Sequence, residues 1–283
     1  MPWLFSGGCS FPPPLTHFSS RSHMWDIYVP YVSWRRACVD PWGVGTLLFC
    51  DDPRMWSHEG GQSATGKLID FVVENHVCYP AVKLQAEQRG QHVHEVLNSI
   101  LEEEATRAGL ENISRLTKNL HVWPDFHGNR SLSDPTLRGM VSGLSLGTDI
   151  GELSQLYLST IQALAFGTRH IFDQYCKHGH ALEMVVMCGG LRKNPVFVKT
   201  HADVLGLPVL LPKEEESVLL GAAILGAAAS GNSQNIEEAV TKMGGRGDLV
   251  RPDAAEKRYL DKKYEVFMKM LTDQREYEKI MKS

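Results

Sequence analysis

Gly61, Gly66 and Lys67, in the stretch GGQSATGKL, are the first residues whose types and spacing suit chemistry. A loop that bares backbone N–H groups to phosphate needs Gly, four residues, Gly-Lys and then Ser or Thr, whose hydroxyl holds Mg²⁺. Leu68 stands where that hydroxyl is required. The preceding CDDPRMWSHE has no apolar run, so the buried strand that leads into a phosphate loop is not expected. The stretch reads instead as a glycine-rich turn entering a helix of about three turns, with Leu68, Ile69, Val72 and Val73 at helical spacing. Gly66 inside that helix costs ~1 kcal/mol relative to Ala, which implies that something packs or binds close to the backbone there.

A second glycine site stands in MCGGLRKNP. Gly189 and Gly190, at the end of an apolar run, let a ligand approach the main chain, and the helix that follows can aim N–H groups at it. The alternative is a tight turn whose glycines serve backbone geometry alone. The other candidates are thinner. His92 and His94 are placed on nearly opposite faces of a helix, where they cannot share a metal. His121 and His127 lack a carboxylate cluster at ligand spacing, so no metal site is expected. Asp125 and His127 could form an acid/base pair or be ordinary loop polarity. Asp149 with Gly151 mimics a phosphate turn, with Glu152 where a hydroxyl is wanted.

The elements that must position these residues follow from periodicity. Val93, Val96, Leu97, Ile100 and Leu101 mark a helix, and Leu120 to Trp123 a short strand running into a loop at Pro124, Gly128 and Asn129. A long helix from Glu152 to about Lys177 carries Leu153, Tyr157, Ile161, Leu164, Ile171 and Tyr175 on one face. A strand over Leu182 to Cys188, a helix around Val196, Phe197 and Val204, and a strand from Pro208 to Leu211 form an α/β layer. ESVLLGAAILGAAASG is a small-residue helix ended by Gly231. A final amphipathic helix carries Leu260, Tyr264, Phe267, Met268 and Leu271 and is charged elsewhere.

The chain's 283 residues, 43% of them hydrophobic, suffice for one large core or two smaller ones. A net charge of −4 with interspersed signs offers no stripe for nucleic acid and no polybasic membrane anchor. The opening residues make a poor signal peptide, and no apolar run is long enough to span a bilayer. Cys9, Cys38, Cys50, Cys78, Cys176 and Cys188 form no C-x-x-C and read as thiols in the cytoplasm. The N-x-S triplets at Asn112 and Asn129 and the RGD at Arg246 read as chance occurrences on loops. Residues 1–57 show no sustained period and are left unassigned.

Four blocks in order, EGGQSATGKLID, HVWPDFHGNRS, CGGLRKNPVFVKTHADVLGLPV and ESVLLGAAILGAAASG, resemble the C-terminal half of the FGGY carbohydrate kinases. The resemblance implies an α/β, actin-like ATPase (ribonuclease H-like) fold. It divides the chain into a divergent extension (1–57), a nucleotide-binding lobe (58–251) and a docked C-terminal helix (252–283). It implies ATP and Mg²⁺ as cofactors and transfer of the γ-phosphoryl group to a sugar hydroxyl, with a pentulose as substrate. By motif, Gly66 and Asp70 would approach the nucleotide, and Gly189, Gly190 and Asn194 would stand at its adenosine end. The family's D-x-G-T/S phosphate turn and its D-A-H-A-G-G-like segment, whose Asp is the general base, do not appear. A G-T-S-x-C-H-M-like turn survives at best as FSSRSHM from Phe18, and residues 25–57 do not follow the family. The expectation is a kinase half inactive alone and associating with the absent N-terminal lobe; the alternative is a non-catalytic nucleotide-binding or regulatory module.

Overall fold

The structure is a computed structural model that describes residues 60–178 and 181–283 and, before residue 60, the backbone of three short strands. Those strands are β1 (Pro2–Phe5), β2 (Gly45–Leu48) and β3 (Trp56–Glu59). Thus the segment left unassigned by periodicity does contribute elements, while the FSSRSHM stretch lies outside the described residues. The main sheet has four strands in the order β1, β6 (Met184–Met187), β7 (Val209–Pro212), β8 (Gly247–Val250). β6 and β7 are parallel, whereas β1 and β8 run antiparallel to their neighbours. Gly247 and Asp248 of the RGD triplet are therefore strand residues rather than loop residues.

Along β6 the side chains alternate as a pleat demands. Val185 and Met187 join the main helical core, and Val186 and Cys188 form a second cluster with Met184 and Leu210. The helices on the first face are α1 (Gly66–Glu74), α2 (Tyr79–Arg89), α3 (Val93–Arg107), α4 (Ile150–Lys177) and α5 (Pro195–Leu205). β4 (His121–Trp123) pairs antiparallel with β5 (Met140–Ser142). Helices α6 (Ser217–Ala229), α7 (Ile236–Met243) and α8 (Ala254–Lys282) complete the described chain. No helix among the described residues is long and apolar enough to cross a membrane.

α4 is the spine. Asp149 caps it, its Oδ1 accepting from the Glu152 N–H at 3.0 Å, so Asp149 serves the helix rather than a phosphate. The apolar stripe read from sequence faces the main core, but Ala163, Ala165 and Phe166 are buried as well, against β4 and α8. A helix covered on both sides buries polar residues too, and these are satisfied locally. The Ser159 hydroxyl donates to Leu120 O at 3.0 Å, and Thr168 to Leu164 O at 3.1 Å.

α3, α4 and α5 are tied by a closed triangle of buried polar groups. Asn98 Nδ2 donates to Asn194 Oδ1 at 3.1 Å, Asn194 Nδ2 to the Tyr157 hydroxyl at 2.6 Å, and that hydroxyl to Asn98 Oδ1 at 3.1 Å. Asn194 Oδ1 also accepts from the Val196 and Phe197 N–H groups, capping α5.

α8 docks through Trp123 and Phe166 on Phe267, with ring centroids 4.3 and 5.5 Å away. Its charges are not all on the solvent face. Glu256 is buried and accepts from Arg115 at 3.0 Å and from the Ser114 hydroxyl. Lys263 is 4% exposed; its ammonium donates to Thr117 O, to the Thr117 hydroxyl at 2.8 Å and to Leu120 O at 3.1 Å. All three acceptors are uncharged, and burial pulls the Lys263 pKa down to about 7.

Two stability measurements check these ties. Asn194→Ala removes a helix cap and strands two buried groups, so urea unfolding should show a loss of roughly 2–4 kcal/mol. Above pH 7 folded Lys263 has released a proton that the unfolded chain still holds up to its ordinary value near 10. The unfolded state then binds more protons, and this group makes stability rise with pH between about 7 and 9. Lys263→Met should flatten that rise in thermal melts.

Candidate functional site

Gly66 is the first residue of α1, not an interior one, so the interior-glycine cost does not arise. β3 does precede the glycine loop, but as half of a two-stranded antiparallel pair rather than as a parallel strand of the main sheet, so the phosphate-loop context is still absent. The loop from Gly60 to Thr65 is clamped from two sides. Gln62 Nε2 donates to Leu164 O at 2.9 Å and to the Thr168 hydroxyl at 3.2 Å, and its amide covers Gly167, where a Cβ would collide with it. Ser63 donates to Gly128 O at 2.9 Å, and Ser131 to Gly61 O at 2.8 Å. The WPDFHGNRS block is therefore a buttress for the glycine loop.

Within that block Asp125 is buried and accepts from Asn129 Nδ2 at 2.7 Å. Burial pushes its pKa up to about 6, with the Asn129 hydrogen bond opposing. His127 is exposed, so the acid/base pairing with Asp125 considered from sequence is not formed. Asn129 Oδ1 takes the Leu132 N–H at 2.6 Å and closes the loop.

The second glycine site adjoins α1. Gly189 has φ +82°, a region that disfavours any side chain. Gly190 opens a 3₁₀ turn over Gly190–Lys193, and a Cβ placed on it would meet nothing within 4 Å. Both glycines are exposed, although Cys188 before them is buried. A Cβ on Gly66 would come 3.9 Å from the Leu191 side chain, so the start of α1 and the 189–194 turn meet. Asp70, one turn along α1, is half-buried; burial raises its pKa, and Lys67 opposes the shift. Asn194 is different: it is buried, with both ends of its amide committed to the triangle, and it fixes the turn from behind. The turn is also held in front. Arg192 donates to Glu214 O at 2.9 Å, and Lys193 pairs with Glu215 at 2.8 Å, which joins it to the segment leading into α6.

His92 and His94 are neighbours, contrary to the opposite-face expectation. His92 lies outside the helix as its extended N-cap, at φ −75° and ψ 149°, and its Nδ1 accepts from the His94 N–H at 3.2 Å. Their ring centroids are 4.6 Å apart. Among the described residues no group of three metal-ligating side chains occurs. Asn98 and the Tyr157 hydroxyl escaped the sequence reading. Their signal was a polar residue inside the apolar stripe of α3 and a phenol inside that of α4.

Comparison with known proteins bears on this arrangement directly. The model of the FGGY family of carbohydrate kinases, C-terminal domain, matches residues 41–230, beginning inside the segment that sequence reading left unassigned. An FGGY carbohydrate kinase domain-containing protein of Xenopus laevis is 52% identical over 230 residues, 81% of this chain and 41% of the relative. A D-ribulokinase of Saccharomyces cerevisiae is 33% identical over 200 residues, 70% of this chain and 28% of the relative. Among solved structures, a xylulose kinase from Rhodospirillum rubrum superposes with a TM-score of 0.68 at 24% identity, covering 98% of this chain and 47% of its own. A Plasmodium falciparum glycerol kinase with ADP gives 0.59 at 16% identity, covering 81% and 42%. The chain thus spans less than half the length of these proteins, and the two structural likenesses speak for the fold. With its glycine loop, 189–194 turn and α/β layer, the chain belongs to the FGGY family of carbohydrate kinases, as its C-terminal domain with the actin-like ATPase fold.

Proposed function

We propose that this chain is the nucleotide-binding half of an ATP-dependent carbohydrate kinase. The observation that carries the reading is the open Gly189–Gly190 turn, exposed and with no atom within 4 Å of a Cβ at Gly190, lying against the start of α1. Backbone without side-chain bulk there gives an adenosine a berth. Gly66 and Asp70 then face the nucleotide from α1, and Asn194 keeps the berth in shape without touching it. The domain boundary at residue 58 and the docking of 252–283 on this lobe belong to the same reading. The glycerol kinase neighbour, described with ADP, supports the nucleotide class, and the relatives named ribulokinase support a pentulose such as D-ribulose as acceptor.

ATP fits the residues present in that the exposed turn offers main chain at Gly190 with no described atom within 4 Å of a Cβ. Mg²⁺ commonly binds through substrate phosphates, one or two carboxylates and water, so it needs no protein cage. When bound, it would neutralise charge developing on the transferred phosphoryl group. This chain's part is to bind and orient. It carries neither the phosphate turn nor the general-base Asp segment of the family, and a positioned base commonly contributes ~10²–10⁴-fold. Nucleotide binding without appreciable turnover is the consequence. A regulatory module that keeps the fold and has lost the reaction is the second reading, supported by the same missing motifs.

The partner follows from α6. Its sequence is apolar nearly all round, yet Val218 and Leu219 are 61% and 69% exposed. Such a helix belongs inside a larger assembly. We assign that face to the N-terminal lobe expected from the family resemblance, this chain matching 41% of the longer relative. The unpaired Cys78, Cys176 and Cys188 suit the cytoplasm.

Calorimetry with Mg-ATP and a coupled ADP-release assay with D-ribulose and related pentuloses test the reading together. Binding with little turnover is expected from the chain alone; turnover at the rate of a complete kinase would show that it needs no further lobe. Gly190→Trp should abolish ATP binding while leaving the thermal midpoint within a degree or two, because Gly190 is exposed and a Cβ there meets no described atom within 4 Å. Unchanged ATP affinity in that variant would remove the adenosine berth from this turn.

A further inference from the structure

The first turn of α3 is linked to both elements of that site. His92 interacts electrostatically with Asp70 of α1. The His94 ring lies on Tyr157, centroids 5.3 Å apart, and the Tyr157 hydroxyl takes the Asn194 amide that holds the glycine turn. The two imidazoles therefore stand between the two elements already assigned to the nucleotide, with His94 toward the adenosine end.

The ring of His94 is half-buried, and neither of its nitrogens has a hydrogen-bond partner among the described residues. His121, His127 and His170 share that lack, whereas other imidazoles are engaged. His178 and His201 each engage Nδ1 with a carbonyl of the preceding helical turn, at 2.8 Å in both cases. His92 spends its Nδ1 on the His94 N–H. Partial burial of an unpaired imidazole costs hydration, a cost that a bound polar group would remove. Burial, with His92 beside it, lowers the His94 pKa to about 4, so at neutral pH the ring is uncharged and offers one N–H donor and one acceptor. An uncharged donor–acceptor edge gives little to a phosphate and suits the edge of a purine.

We infer that His94 is a base-recognition residue of this chain, presenting its imidazole edge to the purine of the nucleotide seated on the Gly189–Gly190 turn. The inference rests on the nucleotide reading above and adds a residue that selects the base. Tyr157 then has two duties: its hydroxyl closes the triangle and its ring supports His94.

The test is calorimetry on the 283-residue chain with Mg-ATP, Mg-GTP and Mg-tripolyphosphate, for wild type, His94→Phe, His94→Gln and Gly190→Trp. His94→Phe keeps a ring against Tyr157 and removes both nitrogens. It should weaken ATP roughly fivefold, the effect of one hydrogen bond. It should also narrow the preference between ATP and GTP while leaving tripolyphosphate unchanged. His94→Gln, which restores a donor and an acceptor, should recover part of the lost ATP affinity. If His94→Phe binds both nucleotides as wild type does while Gly190→Trp binds neither, the nucleotide site stands and His94 has no part in it. Equal weakening of ATP, GTP and tripolyphosphate by His94→Phe would also overturn the inference, as a general disturbance of the site. If Gly190→Trp binds ATP normally, the berth itself is misplaced and the role of His94 falls with it.

Discussion

The triangle of Asn98, Tyr157 and Asn194 is the constraint on which the candidate site depends. Three buried side chains satisfy one another where a lone amide or phenol would cost about 1–3 kcal/mol. Asn194 adds two backbone N–H groups at the start of α5, so the network also fixes where that helix begins. The open turn follows from this. An exposed glycine turn of this kind is held by its rear anchor at Asn194 together with the Arg192 and Lys193 contacts in front. Removing Asn194 or Tyr157 leaves each of the other two corners short of a partner, so the network couples the three segments.

Both halves of the candidate site are mounted on α4. Gln62, from the glycine loop, lies on Gly167 and bonds Leu164 and Thr168; Tyr157, from the same helix, reaches the second glycine turn. The far side of α4 contacts β4 and α8, and Gln162 accepts from Thr117, the residue gripped by Lys263. One long helix thus carries the geometry between elements distant in sequence. Phosphoryl transfer depends chiefly on positioning and charge stabilisation, so on the proposed reading a common mount for the two glycine segments is what this lobe would supply.

Those elements were legible in sequence to the degree that one stripe of side chains decided them. α4, α5, α8 and the two parallel strands each announce themselves through the period of their apolar residues. α2 buries only Val82 and Ala86 and so has no stripe to read, and α7 and β8 are too short to establish one. The glycine motifs do lie at a loop and a turn that meet, but the reason expected for Gly66 did not follow. The tight contact lies at Gly167, against a side chain 105 positions earlier, where local spacing gives no hint. The buried Lys263 and Glu256 are of the same kind, since their partners lie 146 and 142 positions away. The histidines were misplaced by one residue of helix boundary: a cap in extended backbone turns back over the first turn, and a helical residue does not.

The exposed face of α6 and the open glycine turn are adjoining features, because Arg192 and Lys193 bind the Glu214–Glu215 segment from which α6 starts. A domain that covered Val218 and Leu219 would therefore begin its contact beside the glycine turn proposed for the nucleotide. Burying those two side chains is worth about 1.5–3 kcal/mol each at most, so the apolar contact alone makes a weak interface. Nucleotide bound at its rim would add polar contacts to both sides. Docking and nucleotide binding then favour each other by the same free energy, as any two linked equilibria must. On the proposed reading, a docked domain would also supply closure over the phosphates, so nucleotide affinity and turnover would rise together on docking.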